Sequence, residues 1–193
     1  MQISFGTSFA IEVFFMRKIL VILFGFLLLS ADIVNYPIVY QKDDTNAKIK
    51  AVFLYNFTRY FEWPNNKSGN FIISILGENP NLVHELNKMA ATKMVGSQKI
   101  EIKNIKDLKE IESSNILFIL PDKSAVLADA VSKFKGKGTL IVTEKAGLAK
   151  VGSAINFIIE ENKQKFELNK TSASKAGLKV SSALDPLAAA IFN

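Results

Sequence analysis

The chain is 193 residues long, carries a net charge of +6 and contains no cysteine. Without cysteine it forms no disulfide and offers no thiolate ligand to a metal. Its basic excess comes mainly from lysines that alternate with acids, as in residues 103–110, and this pattern is typical of a solvated surface. Nucleic-acid-binding patches instead interleave arginines with exposed aromatic residues, so the composition argues against nucleic acid as a partner.

The first 31 residues have the pattern of a secretory signal. Arg17 and Lys18 precede an apolar run from Ile19 to Leu29, which is followed by small residues. The run is shorter than the ~20 residues that a membrane-spanning helix needs. Met16 is the natural start of such a signal, which leaves residues 1–15 as an upstream segment. The pattern therefore predicts an exported, periplasmic protein.

The remainder has the length of one ordinary domain. Residues 32–44 are polar and rich in Asn and Asp, and we predict a leader there. Residues 45–193 are then a single domain, which is large enough to bury a core without disulfides or metals.

The most informative stretch is an apolar helix candidate at the start of this domain. Its predicted N-cap is Thr45 or Asn46, and its predicted end is Trp63, because Pro64 disfavours helical geometry at the residue before it. So apolar a helix must be covered on most of its circumference. Two interpretations stay open: the helix and its tryptophan complete the core, or its end forms a recognition surface. The residues of that surface are Tyr55, Arg59, Tyr60, Glu62 and Trp63.

Strand and helix patterns alternate along the middle of the chain. The continuous apolar runs 71–76 and 115–120 are typical of strands buried on both faces. Residues 154–169 contain two strands around a turn, which indicates an antiparallel hairpin. These patterns predict an α/β domain, a three-layer sandwich with a mostly parallel sheet and an antiparallel hairpin at its edge.

The C-terminal part is rich in Ala and Leu. Segments 172–178 and 182–192 are therefore predicted to be helical. The strand at 165–169 would then be a free sheet edge that could accept a partner strand.

Acidic residues follow three of the predicted parallel strands, at Glu78, Asp122 and Glu144. Open α/β sheets bind ligands outside the carboxyl ends of their strands, so these residues could form an acidic rim for a cation or a protonated amine. The same residues are also helix-start signals, because the helix dipole favours acids at a helix N-terminus. Both interpretations stay open.

The sequence has no catalytic signature. The lone histidine, His84, lies on a predicted helix between apolar residues, where a packing or surface role is the simpler interpretation. No G-x-S-x-G, HExxH, G-x-G-x-x-G or P-loop pattern occurs. We therefore predict no enzymatic activity, no cofactor and no metal site.

Segments spread over residues 48–192 resemble, in order, the YfiR/HmsC family of exported bacterial proteins. The first segment and the pattern GxxINF…FELN…AGLKxSS are the specific ones, since the strands alone would match any doubly wound domain. The matching segments are KAVFLYNFTRYFEWP, FIISILGENP, NILFILPD, TLIVTE, GSAINFIIEENKQKFELN, KAGLKVSSAL and LDPLAAAI.

The resemblance implies a periplasmic α/β domain that dimerises and restrains an inner-membrane diguanylate cyclase by binding the periplasmic portion of that enzyme. It also implies that an outer-membrane OmpA-like protein can sequester the domain and lift the restraint. The same domain occurs as the sensing portion of some histidine kinases, so a sensor kinase is the other implied partner; here we expect the domain to stand alone. The alternative function is a small-molecule-sensing periplasmic binding module that uses the strand-end rim.

One departure from the family concerns cysteine. Members commonly carry a cysteine just before the ILFI strand, where this chain has Asn115. Disulfide-based redox control therefore cannot operate here. The partners of cysteine-bearing relatives need not be shared by this chain.

Overall fold

A computed structural model describes residues 44–64 and 69–193 of the chain. The predicted secretory signal and residues 32–43 of the predicted leader lie outside the described residues. Within the described residues, no helix has the length and apolar character needed to cross a bilayer.

Helices and strands alternate along this part of the chain. The helices are α1 (Thr45–Phe57), α2 (Pro80–Ala90), α3 (Leu127–Phe134) and α4 (Lys170–Lys175). The strands are β1 (Phe61–Glu62), β2 (Phe71–Leu76), β3 (Met94–Val95), β4 (Gln98–Ile105), β5 (Ile116–Ile119), β6 (Leu140–Thr143), β7 (Ile155–Glu160), β8 (Lys163–Asn169), β9 (Lys179–Val180) and β10 (Ala190–Phe192). Short 3-10 turns lie at Leu108–Glu110, Pro121–Val126, Leu148–Val151 and Ser182–Leu187.

The larger sheet of the described residues has the strand order β10-β8-β7-β6-β5-β2-β4-β3. From β7 through β6, β5 and β2 to β4 the neighbours are parallel, whereas β7 and β8 form an antiparallel hairpin. Alternate residues of a strand point to opposite faces, so Phe118 of β5 packs in the core with α1 and α2, while Leu117 and Ile119 pack with α3. The predicted α/β fold, with helices on both faces of a mostly parallel sheet, is confirmed.

The C-terminal segment differs from its predicted helices. After the short α4, the chain forms β9, a 3-10 turn that contains Pro186, and β10. Strand β10 pairs with β8, with Ile191 opposite Leu168, so β8 has neighbours on both sides. The prediction of a free edge at 165–169 is therefore wrong. Pro186 interrupts helical bonding, and strand pairing outweighs the helix propensity of Ala and Leu.

Helix α1 also ends earlier than predicted, at Phe57 rather than Trp63. The next residues form a turn in which the N–H of Arg59 donates to the carbonyl of Asn56 and the Thr58 hydroxyl donates to that of Tyr55. Strand β1 then pairs antiparallel with β9 in a small second sheet. The apolar pattern of this segment continues past the helix because β1 also faces the core.

The N-cap of α1 is Asp44, and not Thr45 or Asn46 as predicted. Its carboxylate accepts hydrogen bonds from the N–H groups of Asn46 (3.1 Å) and Ala47 (3.2 Å) and from the side chain of Asn81 (3.2 Å). These bonds, the one from Ala47 foremost, lower the pKa of the Asp44 carboxyl.

We expect Asp44→Ala to lower the free energy of unfolding by about 1 kcal/mol at neutral pH, as measured by urea denaturation. Because the pKa is lowered in the folded state, the carboxylate contributes fully above its unfolded-state pKa of about 4 and loses this contribution as the pH falls through the lowered value. The gap between wild type and variant should therefore shrink in acid.

The control for this prediction is Asp44→Asn, which keeps a capping oxygen and should cost only roughly 0.3 kcal/mol. If wild type and Asp44→Ala differ in free energy of unfolding by as much at pH ~2.5 as at pH ~7, ionisation of Asp44 adds nothing to the cap.

Candidate functional site

Helix α1 is buried on one side and apolar but uncovered on the other. Leu54 and Phe57 lie in the core, whereas Ile49 and Val52 are 38% and 52% exposed. Half-buried Phe53 lies at the boundary, with its ring edge-to-face against Phe157 and Phe166 at 5.8 and 5.9 Å. A shallow groove of about 270 Å³ runs along this side. We call it the α1 outer face; its residues are Lys48, Ile49, Val52, Phe53 and Asn56.

Positive charge lies at both ends of the α1 outer face. Lys48 is exposed in the first half of the helix, and Arg59 is exposed just beyond its last turn. The Arg59 guanidinium lies over the ring of Tyr55, 5.4 Å from the centroid. Helix α1 contains no acidic residue. The surface therefore complements a partner that presents apolar side chains flanked by acidic ones.

Trp63 is half-buried at the corner after β1. Its ring meets Phe71 edge-to-face at 5.1 Å and lies 6.2 Å from Phe61, and its Nε1 donates to the carbonyl of Asn115 (3.2 Å). A substitution here would disturb the core as well as the surface, because an aromatic pair and a hydrogen bond are lost together. Trp63 is therefore a poor probe for partner binding.

Asn115 joins three parts of the fold. The side chain is buried, and its Oδ1 accepts from the N–H of Ile72 (2.9 Å). Its own N–H donates to the Ile72 carbonyl (2.9 Å), and its carbonyl accepts from Leu140 (2.8 Å) as well as from Trp63. Asn115 thus links β2, β6 and the Trp63 corner, a role that the sequence did not reveal.

Tyr60 and Glu62 lie beside the small β1–β9 sheet. Tyr60 is half-buried, and its carbonyl accepts from the N–H of Ser181 (2.8 Å). Glu62 is exposed, with its carboxylate 3.9 Å from the Lys179 ammonium. The five predicted recognition residues thus follow one another along the chain from α1 through β1 to the corner after it. Their partner-binding role stays a prediction.

The three predicted rim carboxylates follow adjacent strands β2, β5 and β6 but have different surroundings. Glu144 forms an ion pair with Lys50 of α1, while Glu78 lies 3.8 Å from Lys106 in an exposed pair. Asp122 lies over Gly77, where a Cβ would come within 3.0 Å of its Oδ1. The described residues hold no cluster of three or more His, Cys, Asp or Glu suited to a metal. The ligand-binding role of the rim stays a prediction.

The Lys50–Glu144 pair ties α1 to the end of β6. The Lys50 side chain is only 6% exposed and that of Glu144 is 22% exposed. A charge this deep is tolerated only with a partner, since the alternative is an uncompensated buried ion. The pair therefore fixes α1, and with it the outer face, on the sheet.

The fold and this surface define an α/β domain that presents an apolar helix face flanked by positive charge. The family model for YfiR/HmsC-like proteins matches residues 47–189. The chain therefore belongs to the YfiR/HmsC-like family, and the resemblance that its motifs predicted is confirmed. The family is periplasmic and regulatory. No curated protein matches the chain.

Proposed function

We propose that this protein is a periplasmic regulator that restrains a membrane-bound signalling enzyme, a diguanylate cyclase, by contact with the periplasmic portion of that enzyme. Family membership supports the class of function. The observation that carries the contact is the α1 outer face, where Ile49 and Val52 remain uncovered on a helix that is otherwise packed in the core. Export is supported by the signal pattern around Ile19–Leu29, which lies outside the described residues.

The proposed contact combines the α1 outer face with the five predicted recognition residues. Trp, Tyr and Arg side chains dominate the energetics of protein interfaces, and an apolar centre with a charged rim is the usual arrangement. A sensor kinase with an acidic, apolar periplasmic surface would fit the same site. An OmpA-like outer-membrane protein would act by competing for it, and a second copy of the chain would dimerise through it. The strand-end rim gives ligand sensing less support, because Lys50 already neutralises Glu144.

The test is the level of cyclic di-GMP in cells of the source bacterium. We expect deletion of the gene to raise cyclic di-GMP and biofilm, and wild-type protein to restore both. Arg59→Glu should fail to restore them, because it reverses the charge at one end of the contact. Arg59 is exposed, so the substitution should lower the free energy of unfolding by no more than about 1 kcal/mol, through the lost contact with Tyr55.

The matched control is Lys109→Glu, an exposed charge reversal in the turn Leu108–Glu110 on the α3 side of the sheet, which should restore the wild-type level. Unchanged cyclic di-GMP after deletion would refute the proposed regulation. Full restoration of the cyclic di-GMP level by Arg59→Glu would show that the contact lies elsewhere on the domain.

A further inference from the structure

A cavity of about 660 Å³ lies on the α3 side of the sheet, apart from the α1 outer face and the strand-end rim. It includes Thr139 and Ile141 at the start of β6, whereas Glu144 follows the end of that strand. Its volume is within the range of ~300–1,000 Å³ that is usual for small-molecule sites. Apolar and cationic side chains line it together: Val131, Phe134, Ile141, Lys135, Lys150 and Lys175.

Backbone contacts hold the three lysines around one opening. The N–H of Gly136 donates to the Lys175 carbonyl (3.0 Å), which places Lys175 at the end of α4 beside Lys135 at the end of α3. Gly152, with φ 131°, allows the turn that carries Lys150 to approach α3, since a Cβ there would meet Val131 at 3.1 Å. Three separate elements thus each contribute a lysine to the lining of one cavity before any ligand binds.

The three lysines of this site have no ion-pair partner: among the described residues, no carboxylate lies within ion-pair distance of any of them. No acidic side chain lines the cavity, although its lining includes Asn193, the last residue of the sequence. Lys150 instead lies over the ring of Phe192, 5.7 Å from its centroid. The side-chain hydroxyls of Thr171 and Ser172 add hydrogen-bond donors.

We propose that this cavity binds a small organic anion, in which a phosphate or carboxylate group is joined to an apolar ring. The anionic group would lie among the three ammonium groups, where charge-assisted hydrogen bonds are strong. The ring would lie against the apolar part of the lining, which a fully polar ion would leave unused. Because affinity requires both the anionic group and the apolar ring, the ligand class is an aromatic or other cyclic phosphate or carboxylate.

Calorimetric titration of the purified protein tests the proposal with phenyl phosphate as the probe. Inorganic phosphate lacks the ring, phenol lacks the charge, and benzoate replaces phosphate by carboxylate. We expect saturable binding of phenyl phosphate or benzoate that is at least ~10-fold tighter than that of phosphate or phenol, and that weakens as NaCl is raised from about 0.05 to 0.3 M. Tighter binding of benzoate than of phenyl phosphate would identify the anionic group of the ligand as a carboxylate.

The variant Lys135→Gln/Lys150→Gln/Lys175→Gln should lower the affinity for the tighter probe by at least ~10-fold. The matched control is Lys93→Gln/Lys99→Gln/Lys163→Gln, which removes the same charge from exposed positions away from the cavity and should change the affinity by less than about twofold. No saturable binding, equal losses in the two triple variants, or equal affinity for phenol would overturn the proposal.

Discussion

Glu144→Gln is expected to lower the free energy of unfolding by about 3 kcal/mol, because it leaves the buried Lys50 ammonium without its ion-pair partner. Lys50 is almost fully enclosed between α1 and the sheet, and Glu144 is the carboxylate that its Nζ reaches. The measurement is urea denaturation followed by the fluorescence of Trp63, the only tryptophan in the chain.

Two further variants define the origin of this loss. Lys50→Met/Glu144→Gln should recover most of it, because removing both charges also removes the cost of desolvating them. Glu78→Gln breaks the exposed contact with Lys106 and should cost less than about 0.5 kcal/mol. If Glu144→Gln costs no more than Glu78→Gln, the Lys50–Glu144 pair does not anchor α1.

Val52→Asp should weaken binding to the membrane enzyme's periplasmic portion by at least ~10-fold without destabilising the fold. Val52 is half exposed on the α1 outer face, so an aspartate there remains solvated in the free protein. In the complex it would place a carboxylate in an apolar contact and repel the acidic groups expected on the partner. Biolayer interferometry with the purified partner portion measures the effect, and thermal unfolding confirms the fold.

The chain offers a matched control in Val151. Its side chain is 66% exposed on the turn Leu148–Val151, away from the α1 outer face. Val151→Asp introduces the same charge and should leave partner binding at the wild-type level. An equal loss of partner affinity in the two variants would indicate a general effect of negative charge. It would then contradict the proposal that the α1 outer face is the contact.

The parallel part of the sheet could be predicted because its strands have local signals. The run at 71–76 is continuously apolar and bounded by turn residues, and the structure has β2 at the same bounds. The predicted run at 115–120 contains β5, shortened by one residue at each end. A strand that is buried on both faces has a continuous apolar run in its sequence, and this signal is local.

The segments that were predicted wrongly depend on distant pairing. Glu62 adopts a strand because Lys179 lies opposite it, and Ile191 does so because of Leu168. Neither contact leaves a periodic signal, so local propensity favoured helices in both places. At both positions, pairing with a distant strand determines the backbone conformation.

The candidate site was only partly predictable for a similar reason. The apolar pattern of α1 marks Leu54 and Val52 alike as core candidates, and only the structure shows that Val52 is uncovered. The Lys50–Glu144 pair joins residues that are far apart in sequence. The cavity lysines come from three elements, so the sequence shows them as unrelated surface charges.

Co-purification from the bacterial envelope tests most directly whether the α1 outer face binds a membrane signalling enzyme. The mature protein, tagged, is used as bait in its wild-type and Val52→Asp forms, and the captured proteins are identified by mass spectrometry. We expect the wild-type bait to capture a membrane diguanylate cyclase or sensor kinase and the Val52→Asp bait to lose it. Capture of the same enzyme by both baits, or of no membrane signalling enzyme by the folded wild-type protein, would contradict the proposed contact.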